Sequence, residues 1–211
     1  MQETRIEPAG IPAKLYDPGD ARGLLLLGHG GGGSKDADNF VALGRQLAEG
    51  TGLRVLCIDA PGHGERSTGE DVRKTMGSEK NASQMTADWR AASDDVGGGV
   101  IAYVGYSMGM LYGAPTVAAM PEIKAAVFGV GGIPAFVMRE RLLGVASNLG
   151  HAQVLMLNMT QDETFPVAGV HEFFDAIPGR KKRLMFWEGN HVGLPAESTR
   201  HAVAFLNKHT A

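Results

Sequence analysis

From residue 24 onward, short runs that are apolar almost throughout alternate with longer stretches whose apolar positions recur at helical spacing. The runs lie at 24–27, 54–58, 100–104, 125–130, 154–158 and 183–187. A strand that is apolar on both faces must be covered on both, so the pattern predicts a mostly parallel central sheet with helices on either side, an α/β fold. Helices are predicted at 36–49, 86–96, 108–119, 136–149, 167–177 and 196–208. The start of the chain reads differently: 4–6 and 13–16, followed by an Asp17-Pro18-Gly19-Asp20 turn, predict antiparallel strands at the sheet edge. The polar stretch 65–84 shows no period and reads as a surface loop or pocket rim. With no internal repeat or interdomain linker, residues 1–211 are expected to form one domain.

Composition mostly removes possibilities. The 20 Lys and Arg nearly balance 23 Asp and Glu, which leaves no broad electrostatic footprint for nucleic acid or an anionic membrane. No apolar run approaches the roughly 20 residues of a membrane span. The single cysteine, Cys57, falls inside a predicted strand and reads as a buried, inert thiol that makes no internal disulfide. The first ten residues lack the basic start and apolar stretch of a secretory signal, so a cytoplasmic setting is expected. The seven histidines form no H-E-x-x-H pair, and neither a metal nor a cofactor is expected. Glycine is the outlier: 30 in 211 residues is about twice the usual ~7%. Without a collagen-like period, such an excess marks places where the backbone turns tightly or approaches something closely.

The most specific feature is Gly105-Tyr106-Ser107-Met108-Gly109, which follows the apolar run 100–104 directly and opens a predicted helix. A serine on a sharp turn from strand to helix projects its hydroxyl away from the sheet, and glycines two before and two after let strand and helix pass closely. The helix N-terminus beneath favours developing negative charge, and the Met108 amide is free to donate to an oxyanion. Ser107 is therefore the candidate nucleophile.

In these residues, and over nearly its whole length, the chain resembles the α/β-hydrolase family. The resemblance implies a serine, an acid and a histidine in that chain order. The turn after 154–158, Met159-Thr160-Gln161-Asp162-Glu163-Thr164-Phe165-Pro166, is similar to the family's acid turn, with Asp162 as the acid and Glu163 as the alternative. After the last strand, Gly189-Asn190-His191 matches the closing G-x-H turn and makes His191 the general base. Gly28-His29-Gly30-Gly31-Gly32-Gly33-Ser34 looks like the HGGG-type loop that supplies a second oxyanion donor, Gly31 first and Gly30 next, with His29 bracing it. The same run is a poor phosphate cradle, since no G-K-[ST] closes it. Asp59-Ala60-Pro61-Gly62-His63-Gly64-Glu65-Arg66-Ser67 resembles the family turn that shapes the pocket floor, with His63 structural. His151, His171, His201 and His209 lie on or beside amphipathic stretches and read as solvated.

A serine at the elbow implies acyl transfer rather than the carboxylate-nucleophile chemistry of the family's dehalogenases and epoxide hydrolases. The implied fold is the α/β-hydrolase fold with helices on both faces and a minimal cap, a short helical region at 131–150. Phe136, Met138, Leu142, Leu143, Met108, Met110 and Met159 are candidates for an apolar acyl pocket and equally for ordinary core. The compact plan resembles small serine carboxylesterases and dienelactone hydrolase-like proteins, although dienelactone hydrolases carry cysteine at the elbow. The expected partner is a small-molecule ester; a lactonase, thioesterase or perhydrolase using the same triad, and a non-catalytic ligand-binding protein, are the alternatives. Oligomeric state is left open.

Overall fold

The computed structural model describes residues 1–69, 71, 78–135 and 139–211. Eight strands form one sheet in the order β1-β2-β4-β3-β5-β6-β7-β8. They are β1 Gln2–Ile6, β2 Ala13–Asp17, β3 Leu24–Gly28, β4 Arg54–Ile58, β5 Val100–Tyr106, β6 Ala125–Gly129, β7 Gln153–Met159 and β8 Lys182–Trp187. β1 and β2 run antiparallel at one edge, and β4, β3 and β5 to β8 are parallel. This is the α/β-hydrolase fold, with no large cap among the described residues.

Six helices occur among the described residues: α1 Asp38–Thr51, α2 Glu79–Val96, α3 Met108–Ala119, α4 Arg139–Ala146, α5 Val167–Ala176 and α6 Ala196–His209. Alternate strand residues serve two separate cores. Leu25, Leu27, Leu155 and Leu157 pack against Phe40 and Leu47 of α1 and Ala202 and Leu206 of α6. Leu24, Leu26, Val154 and Met156 pack on the other face, against Trp89 of α2, Leu111 of α3, Leu142 of α4 and Phe173 of α5. Continuous apolarity in the inner strands such as β3, β6 and β7 follows directly, because neither of their faces meets water.

Most boundaries shift by one or two residues from the sequence reading, and three differences have a clear physical cause. α2 begins at Glu79, so part of the polar stretch 65–84 is helical; Ser78 caps it by accepting a hydrogen bond from the Asn81 amide, and Ala82, Met85 and Trp89 form its buried stripe. Residues 70 and 72–77 of that stretch lie outside the described residues. α4 ends at Ala146, where the Ser147 hydroxyl and Asn148 amide both donate to the Gly144 carbonyl and draw it away from further helix. β6 stops at Gly129, since Val130 adopts a φ of 42°, a left-handed conformation costly for a β-branched residue.

Candidate active site

β5 and α3 meet at Ser107, which has φ 55° and ψ −115°. This conformation is strained for a side-chain-bearing residue and is held by the surroundings. The Ser107 amide donates to the Gly129 carbonyl at the end of β6 (2.9 Å), and the Met110 and Leu111 amides both close onto the Ser107 carbonyl. The elbow is tight: a Cβ on Gly105 would stand 2.4 Å from the Gly109 carbonyl oxygen. Behind it, the buried Tyr103 hydroxyl donates to that same oxygen at 2.7 Å.

Three loops at the carboxyl ends of β5, β7 and β8 bring Ser107, Asp162 and His191 together. Ser107 Oγ lies 2.9 Å from His191 Nε2, and His191 Nδ1 lies 2.8 Å from Asp162 Oδ2. The carboxylate fixes the tautomer: Nδ1 carries the proton toward Asp162, so Nε2 is free to accept from the serine hydroxyl. The other oxygen of Asp162 accepts from the Thr164 and Phe165 amides at 2.8 and 2.9 Å, and the residue is buried. Glu163, the alternative acid, is exposed. The phenyl ring of Phe165 stacks on the imidazole of His191, with centroids 5.7 Å apart. The two loops are tied to each other where the Thr160 and Gln161 amides donate to the carbonyls of Trp187 and Gly189.

The glycine loop after β3 lies against the elbow, with Gly30 facing Ser107 Cβ and the Tyr106 carbonyl. His29 is buried: its Nε2 accepts from the Ala60 amide at 3.0 Å, so the proton sits on Nδ1 and donates to the Gly30 carbonyl at 2.9 Å. Burial pulls its pKa down to about 4 and keeps the ring neutral, with the neighbouring His63 adding to the effect. The Gly33 amide donates to the same Gly30 oxygen. In a trans peptide the carbonyl and the next N–H point opposite ways, so anchoring the Gly30 oxygen aims the Gly31 amide away from His29. His63 places Nε2 3.0 Å from the Gly31 carbonyl and Nδ1 3.1 Å from that of Pro61. Among the described residues, the amides of Gly31 and Met108 donate no hydrogen bond.

A charged cluster fastens this loop from below. Lys35 is 1% exposed, and its ammonium reaches Asp59, Asp36 and Glu65. Asp59, fully buried, also accepts from the backbone amides of Lys35 and Glu65. Burial by itself would lower the Lys35 pKa, but the hydrogen bonds to Glu65, Asp36 and Asp59 outweigh it and hold the ammonium above its ordinary range.

Residues 24–206 match the alpha/beta hydrolase family. The chain belongs to the alpha/beta hydrolase family. Among solved structures, this hydrolase is similar to the polyethylene-glycol-bound form of a cold-adapted esterase from an Arctic intertidal metagenomic library. The two are 27% identical with a TM-score of 0.86, over 99% of this chain and 93% of that one. It shares its fold with a Pyrococcus furiosus esterase at 17% identity and a TM-score of 0.78, over 100% of this chain and 93% of that one. A Thermoplasma acidophilum protein titled a predicted CIB-like hydrolase is 23% identical with a TM-score of 0.71, over 98% of both chains.

Several of this hydrolase's apolar candidates belong to the interior. Met108, Met110, Leu142 and Met159 are buried, and Leu143 is partly buried against the core. Phe136 and Met138 lie outside the described residues. Sequence reasoning did not find Phe165, Lys35 or Val130. Phe165, within the acid turn, was the one with a signal, an aromatic next to the proline that starts α5. Lys35 gave none, because its partners lie up to 30 residues away. Cys57 is buried on β4, and burial pushes its thiol up. Among the described residues no group of three or more His, Cys, Asp or Glu side chains is placed to hold a metal ion, and no helix is long and apolar enough to cross a membrane.

Proposed function

We propose that this chain is a serine hydrolase that cleaves carboxylic esters of small to medium acyl chains through an acyl-enzyme. The reading rests on one observation above others: the Ser107 hydroxyl, the His191 imidazole and the Asp162 carboxylate stand in one hydrogen-bonded line at a strand-to-helix elbow. His191 Nε2 takes the Ser107 proton as Oγ attacks the ester carbonyl, and Asp162 stabilises the imidazolium that forms. The amides of Met108 and Gly31 take up the oxyanion, each worth about 3 to 4 kcal/mol to the transition state. His191 then protonates the departing alkoxide. In the second half it takes a proton from water, whose attack on the acyl group frees the acid and restores Ser107.

The likeness to esterases supports small esters as substrates. In this reading residues 1–211 act as one domain, and the stretch 131–150 is too short to cover the site. The His191 side chain remains 28% exposed, which suits direct entry of water and alcohol.

The test is turnover of a chain-length series of chromogenic esters together with labelling by a fluorophosphonate. Ser107→Ala and His191→Ala are expected to abolish turnover, and the label to map to Ser107. Full activity in both variants overturns the reading. Absence of any label on folded protein favours a ligand-binding role instead.

A further inference from the structure

A cavity of about 330 Å³ lies away from the triad between β7, β8 and α6. It lies beside Gln153 and Arg183 at the amino-terminal ends of β7 and β8, whereas Ser107 and His191 sit beyond the carboxyl ends of their strands. Among the described residues, its walls carry Arg180, Arg183 and Lys208 together with His201 and His209, and no carboxylate. In a chain of net charge −3 this is a local reversal of sign. Among the described residues, none of Arg180, Arg183 and Lys208 forms an ion pair or a side-chain hydrogen bond.

Ordinary structural duties do not absorb these cations. Lys182, the other cation on the wall, does have such a duty: its ammonium turns to the carbonyls of Phe174, Asp175 and Ile177 at the end of α5 and leaves only its stem at the cavity. The carboxyl end of α6 is already answered without Lys208, because Thr210 donates twice to the Leu206 carbonyl and Arg22 donates to that of Thr210. The floor is apolar, made by Leu155, Met185 and Phe205. His209 rests on the Phe205 ring, and burial, followed by the adjacent Lys208, lowers its pKa.

Three permanent cations, all exposed, around an apolar floor suit a ligand with a compact multiple negative charge and an unhydrated body. We propose that this cavity binds a small organic phosphate, its phosphoryl group held by Arg180, Arg183 and Lys208 and its apolar part lying on Leu155, Met185 and Phe205. The volume is at the low end of small-molecule sites, which limits the body to about a single ring.

Calorimetric titration with phenyl phosphate tests this, with inorganic phosphate and pyrophosphate as companion titrations and circular dichroism as the check on folding. Saturable one-to-one binding is expected, tighter for phenyl phosphate than for inorganic phosphate. Arg183→Gln and Lys208→Gln each weaken it about tenfold, the loss of one charge-assisted contact. Lys181→Gln, which removes the same charge from an exposed neighbour outside the cavity, leaves it unchanged. The proposal is overturned by the absence of saturable heat up to about 10 mM ligand, or by equal affinity for inorganic and phenyl phosphate. It is also overturned if Lys181→Gln weakens binding as much as Arg183→Gln does. Because binding is read as heat, any of these results leaves the ester-hydrolase reading standing.

Discussion

Gly109, on the first turn of α3, lies directly on Gly28 at the end of β3: a Cβ at position 109 would stand 2.2 Å from the Gly28 carbonyl oxygen. Neither neighbour is a side chain that can swing aside, so the contact ties the elbow to the strand that carries the glycine loop. Gly109→Ala is expected to cost more than about 3 kcal/mol in urea unfolding, because the backbone itself must move. Gly144→Ala is the opposite case. It is exposed within α4 with nothing within 4 Å of the added carbon, and it is expected to stabilise by about 0.5 to 1 kcal/mol. Equal effects at the two positions would show that close approach does not govern the elbow.

Asp162→Asn keeps the shape of the acid turn but loses the charge that fixes the His191 tautomer. A fall in kcat on the order of 10³ to 10⁴ is expected, with KM little changed. Glu163→Gln, on the exposed side of the same turn, is expected to leave both constants within about twofold. Steady-state kinetics on one chromogenic ester distinguishes the two.

His29 makes stability depend on pH. Burial holds its folded pKa near 4 against about 6.5 in an unfolded chain, so the unfolded state binds more protons between those values. Its contribution is complete above pH 6.5 and declines as pH falls toward 4, by about 3 kcal/mol in all. Urea unfolding at pH 7, 6 and 5 should show this decline. His29→Gln should flatten it while lowering stability at pH 7, since the bonds to Gly30 and Ala60 are disturbed.

Lys35→Met removes the cation from a cluster built around the fully buried Asp59. An unpaired buried carboxylate costs about 3 to 5 kcal/mol, and part of that loss should return in the double variant Lys35→Met/Asp59→Asn, where no charge is stranded and the side-chain oxygen still accepts from a backbone amide. A single-variant loss below about 1 kcal/mol would mean that the cluster is solvated and adds little.

The central strands were legible because sandwiching between two helix layers writes itself as unbroken apolar runs, as at 54–58, where the run and β4 coincide. The start of α2 was not, because Glu79, Lys80 and Asn81 mask a stripe whose first members, Ala82 and Met85, are only two residues. The elbow marked Ser107 by its place between an apolar run and a helix, whereas His191 was pointed to by the resemblance to the family's closing turn. The choice between Asp162 and Glu163 depends on which carboxylate the Thr164 and Phe165 amides trap, and adjacent positions in a turn carry no periodicity to reveal that. Lys35 and Val130 were illegible for a related reason: a buried ion cluster and a left-handed valine arise from tertiary packing, not from any local pattern.

The backbone at Ser107 sets its chemistry against its own stability. A side-chain-bearing residue at φ 55° carries a strain of about 1 to 3 kcal/mol that glycine does not feel. Ser107→Gly is therefore expected to relax the fold while deleting the hydroxyl, the change that drift toward a sturdier protein would favour. On the reading of Ser107 as the nucleophile, a lineage released from selection for the hydroxyl would be expected to lose this residue while its two cores stayed intact.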